Sequence, residues 1–231
     1  MTVDSDHDSS GRFRWTSKPV HAIRRMIRSS WAVVKEYRRA YVLLNLFYYG
    51  LMAAAMVYVA FDPALQKTMW DEVGEAFGTT PLTSGVIDAY GSGQVLLAAA
   101  LTFAVNLVLG SFVFITVPSL IVPFSGILVG VYRALLWGLL FSPTAFLGAG
   151  ILFHWPTILL EGQAYIMVML AAYAQGMAFL RPKTVGAKTR GQGYWEGVKR
   201  SVRIYVLVAI TLLVAAIYEA VSVIFIMRGA A

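Results

Sequence analysis

From Gln94 to Leu180 the sequence is almost unbroken hydrocarbon, and the only Lys, Arg, Asp or Glu side chains in it are Arg133 and Glu161. A water-soluble domain cannot bury so long an apolar run. In a bilayer, helices of about 20 apolar residues cross the hydrocarbon and satisfy their own backbone groups. Composition agrees: 58% of the chain is hydrophobic and 13% charged, against about 25% charged in an ordinary soluble domain. The expected fold class is therefore all-α, an integral membrane helical bundle of about five transmembrane helices.

Proline and glycine divide the apolar sequence into spans. The first is expected over about 41–60. A second runs over 94–117 and stops at Pro118, and a third covers 120–141. The third contains Pro123 and the pair Gly126 and Gly130, a small-xxx-small spacing that lets another helix approach. Pro156 suits the first turn of a fourth span over 156–180, and the fifth is expected over 204–227. The intervening "SPTAFLGAGILFHW", 142–155, is too short and too glycine-rich to span alone, so it is expected to be re-entrant or interfacial. The first apolar run starts near Tyr41 behind a basic segment, which favours an uncleaved span over a signal peptide.

Outside the spans three segments stand out. Residues 1–18 are polar and acidic without apolar period, and are expected to be a disordered cytoplasmic tail. Over 19–39, Val20, Ile23, Ile27, Trp31 and Val34 recur at spacings of three and four. They are interleaved with Arg24, Arg25, Arg28, Lys35, Arg38 and Arg39. This is a basic amphipathic helix, suited to an anionic inner leaflet or to packing on the protein's own cytoplasmic loops. The acidic 61–93 segment, with Ala64, Leu65, Met69, Trp70, Val73 and Phe77, is expected to hold a short amphipathic helix on the outer surface.

Charge sets the orientation. The first 40 residues hold nine Lys and Arg and the polar, glycine-containing 181–203 segment, expected to be the second large loop, holds seven, so sixteen of nineteen lie in two places. The positive-inside rule puts both in the cytoplasm. Five spans then place the C-terminus outside, in a cytoplasmic (inner) membrane. The net charge of +7 reflects topology, and no nucleic-acid partner is expected.

At about 1.5 Å per helical residue, Arg133, Glu161 and Glu219 fall at similar depth in the outer half, with His154 close by. Asn106 lies near the middle of the second span. A lone charge at mid-bilayer costs at least about 2.5–3.5 kcal/mol, so Arg133 is expected to pair with Glu161, Glu219 or both. Gln163 and Gln175 also fall on the fourth span. Such a cluster is either packing glue or part of a proton or ion path, and a path needs polar groups at several depths.

Catalytic patterns are poor. Cysteine is absent, which removes thiolate chemistry. No His-Glu-x-x-His helix, nucleophile elbow or phosphate loop occurs. "GAKTRGQG" has the residue types of a phosphate cradle in the wrong order. His154 is a weak candidate for ligating a chlorin magnesium or haem iron, and a lone membrane-edge histidine more often hydrogen-bonds. No cofactor is predicted, though bound lipid or pigment is compatible with the cluster.

Asn106, Gly110 and the "PFSGILVG" turn, then Pro156 and Glu161 in "PTILLE" with Gly176 downstream, then Glu219 in "AAIYEA", form a pattern. Over about residues 94–227 it resembles the stage II sporulation protein M family of multi-span membrane proteins. That family's Pro-His-Gly-x-x-Glu motif has Thr157 and Ile158 at its histidine and glycine here, with His154 three residues before. The resemblance implies a membrane scaffold that recruits cell-wall-remodelling partners. The expectation is thus a non-catalytic scaffold or accessory subunit that docks on other integral membrane proteins in a cell-wall, respiratory or photosynthetic assembly. The alternatives are a small-solute or ion transporter using Arg133, Glu161 and Glu219, and an intramembrane enzyme.

Overall fold

The structure, a computed structural model, describes residues 18–144 and 146–227, so the tail expected over 1–18 lies outside the described residues except for Lys18. Among the described residues the chain is helical with no strand. Four helical stretches are long and apolar enough to cross a membrane: Arg38–Ala60, Val95–Ile121, Gly150–Leu180 and Arg190–Ile226. A fifth apolar helix, Ser125–Leu140, is shorter.

Helix α1 (Lys18–Glu36) leads into α2 (Arg38–Ala60). Instead of one short helix, the 61–93 segment forms two, α3 (Pro63–Gly78) and α4 (Pro81–Ser92). Each starts on a capping oxygen followed by proline. Asp62 accepts from the Leu65 amide at 3.0 Å and Thr80 from the Thr83 amide at 3.3 Å, which satisfies N–H groups that a helix start leaves free.

The second span departs from expectation at Pro118. Helix α5 (Val95–Ala104) widens into a π-helical run (Val105–Thr116) and continues through α6 (Val117–Ile121). Pro118 lies where the hydrogen bonding passes from the π to the α register, in the first turn of α6. The chain turns instead at 122–124, where Phe124 takes φ 71°. Its ring packs on Gly176, where a Cβ would lie 2.7 Å from it. Helix α7 (Ser125–Leu140) returns. A 3₁₀ turn (Ala149–His154) then feeds α8 (Trp155–Leu180).

The 181–203 segment is only partly loop. Thr189 caps α9 (Arg190–Val221) by accepting from the Gln192 amide at 3.3 Å. A helix of 32 residues is roughly 48 Å long and overruns the hydrocarbon by several turns. A further π-helical run (Ser222–Met227) extends it.

Helix α8 is the axis of the bundle, and its Ile158, Ile166, Met169 and Leu170 are at most 1% exposed. Helices α2, α7, α9 and the π-helical run all pack on it. Gly126 and Gly130, expected to admit one neighbour, serve two. A Cβ at Gly126 would strike Ser119 and the Ile115 carbonyl, whereas one at Gly130 would strike Met169 of α8.

The basic helix α1 packs on the chain itself, against the start of α9. One face of α1 buries Ser30, Val33 and Val34, while Ile23, Met26 and Trp31 remain exposed. Ser30 donates to the Arg203 carbonyl at 2.5 Å, and Arg200 pairs with Glu36 at 3.3 Å. Arg24, Arg25, Arg28, Lys35, Arg38 and Arg39 all stay exposed. At the opposite end, fully buried Gln66 of α3 donates to the carbonyls of Leu140 and Ser142 at 3.0 and 2.9 Å. It also accepts from the Thr144 hydroxyl. Ser142 donates to the Met56 carbonyl at 3.1 Å. The irregular connection after α7 is thereby tied to the ends of α2 and α3.

Candidate functional site

A cavity of about 590 Å³ opens between α4, α5 with its π-helical run, α7, α8 and α9. Asn106, Arg133, His154, Glu161 and Glu219, the five residues singled out in the sequence, all line it. Its walls are otherwise mainly aromatic and aliphatic, including Phe77, Tyr90, Phe114, Tyr132, Trp137 and Phe141.

The expected Arg133–carboxylate bridge is not formed. The ion pairs among the described residues are Lys67–Asp71, Lys199–Glu196 and Arg200–Glu36. Arg133 instead lies over the Tyr165 ring at 3.9 Å and the Trp137 ring at 5.3 Å. Its Nη1 donates a long 3.4 Å hydrogen bond to the Gly110 carbonyl, and its Nε has no partner. Cation–π attraction supplies part of the compensation a counter-ion would give, and it strengthens when water is excluded.

The carboxylate side explains why. The Asn106 Nδ2 amide donates to Glu161 Oε1 at 2.5 Å, and the Tyr165 hydroxyl donates to Asn106 Oδ1 at 2.7 Å. Cation and acid are therefore joined through Tyr165 and Asn106, a relay that links α7, α8 and the π-helical run. Gly110 permits it, since a Cβ there would lie 2.8 Å from the Tyr165 hydroxyl and 3.1 Å from Arg133 Nη1. On the far wall, α9 presents Glu219 beside Tyr90 of α4, whose hydroxyl hydrogen-bonds Thr102 at 3.1 Å. His154 tilts against Phe141, ring centroids 5.4 Å apart, and its buried Nδ1 is unpartnered. Among the described residues no group of three or more His, Cys, Asp or Glu is placed to hold a metal ion.

Sequence reasoning missed Tyr165, Trp137 and Tyr90. The first two were findable, because each lies four residues beyond a named charge, on the same helical face. A second network was also missed. Tyr41 donates to Gln163 Oε1 at 2.7 Å, and Gln163 Nε2 donates to Asn45 at 2.6 Å and to Tyr49 at 3.2 Å. Tyr41, Asn45 and Tyr49 are a stripe at spacing four on α2. Gln175, by contrast, is buried with both amide atoms unpartnered.

The fold is all-helical among the described residues, and its four helices long and apolar enough to cross a membrane point to a membrane protein. Comparison with protein-family models, with curated proteins and with solved structures gave no match to this chain.

Proposed function

We propose that the chain is a non-catalytic scaffold or accessory subunit that docks on other integral membrane proteins. The observation that carries this reading is the use made of the buried charges. Glu161 and Arg133 are engaged in contacts between helices, as packing glue requires. Along α8 beyond Tyr165, toward Leu180, lie fully buried Ile166, Met169 and Leu170, with Val208 and Leu212 of α9 equally enclosed. A polar route through the bundle would have to break this layer, which disfavours the transporter alternative.

The same proposal includes five crossings, both basic segments cytoplasmic and the last helix ending outside. Support comes from parity. The Ser30–Arg203 and Arg200–Glu36 contacts put the arm and the start of α9 at one end of the bundle. An even number of crossings must separate them, so α7 counts beside α2, α5–α6 and α8. At 16 residues, α7 is roughly 24 Å long, enough for most of a hydrocarbon core of about 30 Å. The resemblance to the stage II sporulation protein M family points the same way, with the cytoplasmic platform of α1 and α9 as the docking face. It presents exposed Trp31 and Trp195 amid the cationic residues of both helices.

Solubilisation in mild detergent followed by native electrophoresis and mass spectrometry tests the reading. Migration as a defined assembly with other integral membrane proteins, lost when Trp31 and Trp195 are both changed to Ser, is expected. Migration only at the mass of the chain or its homo-oligomer would reject it. Solute flux in proteoliposomes that Glu161→Gln abolishes would favour the transporter.

A further inference from the structure

The cavity is graded along its length. At one side its lining is exposed on the apolar flank of the bundle, through Tyr132 at 65%, Phe114 at 54% and Ile87 at 50%. At the other it ends on Arg133, Glu161 and Glu219. An opening that faces lipid and leads to charge suits a molecule with its polar end inside and its apolar end in the bilayer. The volume lies within the range of ligand pockets, about 300–1,000 Å³.

The interior also specifies the polar end. Arg133 offers a buried Nε–H with no acceptor and no counter-ion, and a guanidinium in that state favours an anionic oxygen. Two carboxylates face the same space and outnumber the single guanidinium, so an anion alone would worsen the charge balance. A head group that carries both signs meets both demands. Its anionic group would reach Arg133, and a primary ammonium would donate to Glu219 and Glu161. We propose that this cavity binds a zwitterionic amphiphile with a primary amine, of the phosphatidylethanolamine type, entering sideways between the π-helical run and α7. The proposal goes beyond the scaffold reading, and its test involves no protein partner.

The test is native mass spectrometry of the full chain released from nanodiscs containing equal parts of phosphatidylethanolamine, phosphatidylcholine and phosphatidylglycerol. One retained phosphatidylethanolamine is expected. Arg133→Gln and Glu219→Gln should each lower its retention about tenfold, the worth of one charge-assisted hydrogen bond. If Arg133→Gln does not accumulate, Val129→Trp carries the test, since Val129 is a half-buried lining residue and an indole there should fill part of the cavity and abolish retention. Equal retention of the three lipids, preference for phosphatidylglycerol, no retained lipid, or retention unchanged by the variants would overturn the proposal. So would displacement of the lipid by soluble phosphoethanolamine, which would mean that the head group alone is the ligand.

Discussion

At the scale of single residues the bundle depends on how each buried polar atom is satisfied. Arg133 leans on the Tyr165 ring instead of a carboxylate. A double-mutant cycle between Arg133→Leu and Tyr165→Leu should therefore give a coupling of about 1–2 kcal/mol, read from thermal unfolding in detergent. The cycle between Arg133→Leu and Glu161→Leu should give less, and the reverse order would restore the direct ion pair. Gln175 makes the opposite case, because both its amide atoms are buried without a partner. An unsatisfied buried group costs about 1–3 kcal/mol, so Gln175→Met should raise the unfolding temperature. A fall would mean that the amide is satisfied in the membrane. Gly138 is set by contact, since a Cβ there would strike the Met52 carbonyl and lie 2.6 Å from the Ala55 Cβ. Gly138→Ala should cost about 1–3 kcal/mol through overpacking. Gly50→Ala, with nothing within 4 Å, should be neutral or stabilising.

At the scale of elements the cationic arm is the most testable part. It is docked through Ser30, Val33 and Val34, so Val34→Asp should release it. Trypsin should then cut after Arg24, Arg25 and Arg28 far faster than in the parent chain, and an unchanged rate would show that docking does not depend on that face. The apolar runs and the basic amphipathic period made most helices legible, because burial in lipid leaves hydrophobicity as nearly the only local demand. Boundaries were less legible. Pro118 read as a stop, but the π-helical run ahead of it resets the hydrogen-bond register, and no local pattern announces that run. The first half of α9 read as loop because its residues are polar and basic. Polar residues form helices equally well when a cap such as Thr189 starts them and a partner such as α1 covers one face. Of the site, the charges were legible because ionisable groups are rare in apolar helices. Their aromatic partners were not, because tyrosine and tryptophan are common there.

At the scale of the molecule, the four long helices, the short α7 and the contact between arm and α9 support one arrangement. Both basic segments gather at one end of the bundle, and the cavity lies toward the other. The absence of cysteine makes single-cysteine labelling clean. Ala32→Cys and Thr184→Cys mark the two basic segments and Thr79→Cys the acidic side, all at exposed positions. With a membrane-impermeant maleimide on intact spheroplasts, the account predicts labelling at position 79 alone, and at 32 and 184 only after the membrane is opened. Labelling of position 32, of position 184 or of both in intact spheroplasts would contradict it, and labelling of only one of the two would show that the arm and the α9 end do not share a side.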